Sequence, residues 1–134
     1  MDFNVVVASQ NGWEVLSISG EIDMATAPQF RKQLLDTINA SLPTITPKLV
    51  LNLTSVDFID STGLGVLLGA TKRVRGAGGD IRLVQNNPRL AELLAMTRLD
   101  QIIDVFASVA EATEGAAADA PSNTNSDAST GNDL

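Results

Sequence analysis

The sequence predicts an α/β domain, a mostly parallel sheet of four to five strands with helices packed on it, in the order β-β-α-β-α-β-α-β-α. Three observations predict it. Apolar residues make up 44% of the chain and aromatics only 4%, so the core is built from leucine, isoleucine and valine, as in parallel strands covered by helices. Short strand-like runs alternate with stretches of helical periodicity, and strands separated by helices pair in parallel through right-handed crossovers. The chain is 134 residues long, the size of one domain with a single core.

The first two strands are read in "FNVVVAS" and "WEVLSISG", joined by Gln10-Asn11-Gly12, where Asn-Gly signals a tight hairpin. After "GEIDMATAP", Phe30, Leu34, Leu35, Ile38 and Leu42 recur at helical spacing, with Thr26 as N-cap and Pro28 in the first turn. "LPTITP" ends that helix. "KLVLNLTSV" is a short apolar run bounded by turn residues and suits a central strand buried on both sides. A second helix follows with Leu64, Leu67, Leu68, Thr71 and Val74 on one stripe, Lys72, Arg73 and Arg75 at its negative end, and Gly76 as its left-handed stop. "DIRLV" is the next strand, and Asn87-Pro88 opens a helix whose buried stripe is Leu90, Leu93 and Leu94. "IIDVF" reads as an edge strand and "SVAEATEG" as a short last helix.

Composition divides the chain into a domain over residues 1–114 and a tail over 115–134. The tail, "GAAADAPSNTNSDASTGNDL", is small, polar and acidic, and it lacks the apolar surface to offset its ordering entropy. It is expected to be disordered and solvating. No apolar run reaches the roughly 20 residues that span a bilayer. "MDFNVVVASQ" has no basic residue ahead of its apolar segment, unlike a secretory signal. A cytoplasmic protein without a membrane partner is expected.

Absences narrow the chemistry. The chain has no cysteine, histidine or tyrosine, which excludes disulfides, thiolate or imidazole metal sites and a Ser-His-Asp triad. No cofactor or metal site and no enzyme activity are expected. A formal net charge of −7 opposes nucleic-acid binding, and no Lys/Arg stripe interleaved with aromatics offsets it.

One stretch stands out. In "VDFIDSTGLGVLLGATKRVRGAGG", a strand gives way to a helix on Asp60, Ser61, Thr62 and Gly63. Ser61 then sits at a helix start beyond the carboxyl end of a central strand, where partners and ligands of open α/β sheets meet the protein. The helix dipole favours a negative group there, and Gly63 and Gly65 leave room for close approach. A phosphate-acceptor hydroxyl is one reading. The other is structural: Ser61 or Asp60 caps the helix, and the two glycines let it pack on the sheet. Gly63, Gly65 and Gly69 form G-x-G-x-x-x-G, but no acidic residue stands at a ribose position and no G-x-x-x-x-G-K-[ST] occurs, so a nucleotide site has little support.

The segment "VDFIDSTGLGVLLGATKRVRGAGGDIRLV" resembles the signature of the anti-sigma-factor antagonists, small bacterial STAS-domain proteins. "GEIDMATAP" and "NPRLAELLAMTRLDQIIDVF" resemble the family's other recurrent segments, in its order and spacing over roughly residues 3–113. The resemblance implies the STAS fold and a partner switch. The unmodified protein would bind an anti-sigma factor that is also a serine kinase, and so free a sigma factor. Ser61 would be the phosphoacceptor, and a PP2C-type phosphatase would restore it. Asp60, Thr62, Gly63, Leu64 and Gly65 around the acceptor, with Glu21 and Asp23 beside it, would form the partner-binding, kinase-facing patch. Two alternatives remain at this point: a non-switching STAS scaffold module of a larger signalling assembly, and a nucleotide-binding STAS protein.

Overall fold

The computed structural model describes residues 3–41 and 45–118. Its elements are β1 (Asn4–Gln10), β2 (Trp13–Ile22), α1 (Ala27–Ser41), β3 (Lys48–Ile59), α2 (Ser61–Gly76), β4 (Asp80–Val84), α3 (Pro88–Met96), a 3-10 turn (Leu99–Gln101), β5 (Asp104–Phe106) and α4 (Val109–Ala118). The sheet runs β1-β2-β3-β4-β5; β1 pairs with β2 antiparallel and every later neighbour is parallel. The predicted order and fold class are those observed. Asn11 and Gly12 take positive φ values of 53° and 85°, which makes the hairpin link a two-residue turn whose twist matches the strands.

The sheet buries both faces. On one, Leu16, Ile18, Leu49, Leu51, Ile81 and Leu83 pack against Phe30, Leu34 and Ile38 of α1, Leu67 and Val74 of α2, and Leu90 and Leu94 of α3. On the other, α4 covers Trp13, Val15, Val50 and Val84 through Ala112. Leu49 and Val50 are therefore both fully buried, as a central parallel strand requires. The Arg82 guanidinium lies 4.4 Å from the Trp13 ring centroid and 5.4 Å from that of Phe106, and its Nη1 donates to the Ala112 carbonyl at 2.7 Å. This cation stacked on two rings ties α4 to the sheet.

Strand ends depart from expectation. The run read as ending at Val56 continues to Ile59, and β2 continues to Ile22. Two register shifts between these strands insert extra residues into β3, so that Ile22 and Ile59 still meet as partners and both are buried. Beyond Asn52, however, β3 pairs with β2 alone, because β4 is in register only with Lys48 to Asn52.

Helix ends differ as well. Thr26 precedes α1, but its hydroxyl donates to the Glu21 carbonyl at 2.8 Å and accepts from the Asp23 N–H at 3.0 Å, so it closes the β2–α1 loop instead of capping the helix. Gly76 is the last residue of α2, and the left-handed stop falls two residues later, at Gly78 (φ 81°). α4 runs on to Ala118. The rest of the expected tail, residues 119–134, and Leu42 to Thr44 of the segment after α1, lie outside the described residues.

Candidate functional site

The carboxyl ends of β2 and β3 meet through their paired isoleucines, and the Asp60 N–H donates to the Ile22 carbonyl at 3.0 Å. That bond joins two loops. In the first, the Asp23 carboxylate accepts from the N–H groups of Ala25 (2.9 Å) and Thr26 (3.1 Å), while the Ala27 N–H donates to the Asp23 carbonyl at 2.7 Å. In the second, Asp60 has extended backbone (φ −104°, ψ −175°), and its Oδ1 accepts from the N–H groups of Thr62 (2.9 Å) and Gly63 (3.1 Å). Asp60 is thus the N-cap of α2. Ser61 is the first helical residue, exposed, and its hydroxyl has no hydrogen-bond partner among the described residues. The capping alternative for Ser61 falls away, because its neighbour holds that role.

The structure gathers Glu21, Asp23, Asp60, Ser61, Thr62 and Gly65 at one end of the sheet, but not as equals. Glu21, Ser61, Thr62 and Gly65 are exposed, whereas Asp23 and Asp60 are half-buried with their carboxylates engaged by backbone. Gly63 and Leu64 face inward. A Cβ on Gly63 would stand 2.6 Å from Ile22 Cγ2 and 2.7 Å from Ile59 Cγ1, closer than packed carbons approach, so the glycine lets α2 sit on the strand ends. Gly63 and Leu64 therefore belong to the helix–sheet contact and offer a partner no side-chain surface. Around Gly65, by contrast, a Cβ would meet nothing within 4 Å.

The charge around Ser61 is mixed. The acidic residues lie on the β2–α1 side. On the other side Thr62 and Gly65 border a groove of about 450 Å³ between α1 and α2, which Arg31, Asn39 and Arg73 also line. Arg73 Nη2 donates to Asn39 Oδ1 at 2.8 Å. The sequence marks this neighbourhood as acidic because no basic residue precedes Arg31. The basic flank is missed because Arg31 and Arg73 lie far apart in sequence and meet only when two helices pack.

The first turn of α2 has chemical consequences. A helix N-terminus attracts anions through its free N–H groups, yet the Asp60 carboxylate already accepts from two of them. A negative group added to Ser61 would find the dipole partly neutralised and a carboxylate beside it. Such a group would point away from the domain, toward whatever faces this end. Among the described residues no cluster of three or more carboxylates is placed to hold a metal ion, and no helix is long and apolar enough to cross a membrane.

Comparison with known proteins agrees with this architecture. The STAS domain family matches residues 4–112. The chain is 36% identical over 107 residues to the anti-sigma-B factor antagonist of Bacillus subtilis (strain 168), which covers 80% of this chain and 94% of that protein. It is 30% identical over 106 residues to the anti-sigma F factor antagonist of Paenibacillus polymyxa, covering 79% and 88%. The crystal structure of an anti-sigma factor antagonist from Mycobacterium paratuberculosis superposes with a TM-score of 0.74 at 28% identity, covering 83% of this chain and 91% of that one. With the family match over residues 4–112 and the fold and sequence similarity in agreement, this protein belongs to the STAS-domain family of anti-sigma factor antagonists.

Proposed function

We propose that the protein is a partner switch acting on a sigma factor through its antagonist. Unphosphorylated, it binds an anti-sigma factor that is also a serine kinase, and the sigma factor is released. Phosphorylation of Ser61 by that kinase ends the binding, and a PP2C-type phosphatase restores it. The observation that carries this reading is the state of Ser61: exposed, without a hydrogen-bond partner among the described residues, and relieved of capping by Asp60. The antagonist role of the relatives' names supports the same reading.

The electrostatics support a local switch. A phosphate adds roughly 1.5 to 2 negative charges at neutral pH. Here it would stand beside the Asp60 carboxylate, on a helix end whose first N–H groups are already taken. A partner surface fitted to a neutral hydroxyl would have to desolvate that charge, and a penalty of about 3 kcal/mol weakens binding more than a hundredfold. Ser61 is exposed and outside the core, so the domain need not refold. The test is to incubate the protein with the kinase-type anti-sigma factors of its organism and ATP, and to map phosphate by mass spectrometry. One phosphate on Ser61, absent in Ser61→Ala, is expected. Phosphate on another residue, Thr62 included, or none with any of these kinases, would overturn the reading.

A further inference from the structure

Because β4 ends its pairing at Asn52, the last part of β3, Leu53 to Ile59, has a strand on one side only among the described residues. On the other side, where a further strand would lie, there is a groove of about 270 Å³ between β3 and α3. Its floor and walls are apolar: Val56 and Ile59 from β3, Leu90 and Leu93 from α3. Two large apolar side chains stand at its mouth largely in solvent, Phe58 at 52% exposure and Met96 at 74%. The groove ends at Ile59, directly before the Asp60-Ser61 helix start.

These features specify an occupant. An unpaired strand edge presents main-chain donors and acceptors, and natural proteins blunt such edges with lysine or other charges, proline, β-bulges or a covering loop. Residues 53–59, Leu-Thr-Ser-Val-Asp-Phe-Ile, contain neither proline nor lysine. The two register shifts and Asp57 interrupt this edge, and the Thr54 N–H already donates to Asn52 Oδ1 at 3.2 Å. No covering loop, however, lies over Val56 to Ile59 among the described residues. Backbone groups of this kind are satisfied by another extended backbone, and the apolar walls by that segment's alternate side chains. Among the described residues Asp57 and Glu92 line the groove against a single cation, Arg89, so its charge favours a basic occupant.

We propose that the groove between β3 and α3 is a docking site for an extended segment of a partner protein. That segment adds as a strand to the free edge of β3, seats an apolar side chain between Phe58 and Met96, and presents lysine or arginine to Asp57 and Glu92. This site adjoins the Ser61 helix start at Ile59, and its occupation needs neither kinase nor phosphate.

The test uses the whole protein, isotope-labelled, and a short acetylated peptide alternating valine or leucine with lysine. A twin peptide with N-methylated backbone keeps the side chains but lacks the donors. The peptide is expected to bind with a Kd below about 1 mM and to shift the amide signals of residues 53–59 and of α3. The N-methylated twin, a twin with glutamate in place of lysine, and the variants Phe58→Glu and Met96→Glu should each weaken binding at least about tenfold, or about 1.4 kcal/mol. Both variants alter exposed side chains, and matching melting curves would show that their folds are intact. No binding up to about 1 mM, equal binding of the N-methylated twin, or shifts confined to the sheet's outer edges at Asn4–Gln10 or Asp104–Phe106 would overturn the proposal.

Discussion

Asp60 and Ser61 are adjacent, similarly polar, and divided in their work. Asp60 spends its carboxylate on two backbone N–H groups, and Ser61 spends its hydroxyl on nothing within the described chain. Their alanine variants should therefore separate. Asp60→Ala removes the cap and should cost about 1 kcal/mol, lowering the melting temperature by a few degrees. Ser61→Ala should cost less than about 0.5 kcal/mol, as surface changes away from caps and cores do. Thermal unfolding of both checks this; an equal loss would mean that the serine shares the capping. The four-residue pattern was legible in the sequence as a helix start. Which residue caps it was not, because serine and aspartate cap about equally well and only the backbone angles at Asp60 decide.

Two glycines of α2 differ in the same way at the level of the helix. Gly63→Ala forces a methyl group to within 2.6–2.7 Å of branched atoms of the buried Ile22 and Ile59, so the core contact must shift. It should destabilise by about 1–3 kcal/mol. Gly65→Ala meets open space and removes a flexible residue from a helix, so it should stabilise by about 0.5–1 kcal/mol. Gly65 is exposed one turn beyond Ser61; if it lies against the anti-sigma kinase, as the family resemblance implies, that same variant should bind it more weakly despite its firmer fold. Denaturant curves and a binding titration on the two variants check both statements. Element identity was legible from periodicity, and the hairpin from Asn-Gly. The ends of β2 and β3 were not, since the two register shifts that carry them to Ile22 and Ile59 depend on pairing between distant segments. Thr26 misled for a related reason: its spacing suits a cap, but the Glu21 carbonyl reaches its hydroxyl first. Nothing in the local sequence marked Phe58 and Met96 as neighbours either, because the groove they share exists only where α3 passes β3.

For the whole molecule, the sheet is a platform with Ser61 at one end and α4 sealing the face opposite α1, α2 and α3. Trp13 is the chain's single tryptophan, 2% exposed beneath that seal. Removing residues 109–134 should expose it with Val15, Val50 and Val84, red-shift its fluorescence and lower the melting temperature by many degrees. Removing residues 119–134 should change neither, since their composition supplies no core; a fall of several degrees would show that this segment docks. The central claim is that one unbonded hydroxyl at the rim of this platform governs partner binding without altering the fold. Its most direct test is the affinity of Ser61→Ala and Ser61→Asp for the anti-sigma kinase, measured beside their melting curves. An acidic residue in the first turn interacts favourably with the helix dipole, by about 0.3–1 kcal/mol, so Ser61→Asp should melt no lower than Ser61→Ala. Binding should rank them the other way, with Ser61→Ala near the unmodified protein and Ser61→Asp at least about tenfold weaker. Equal affinity of the two variants, with both folds intact, would contradict the switch.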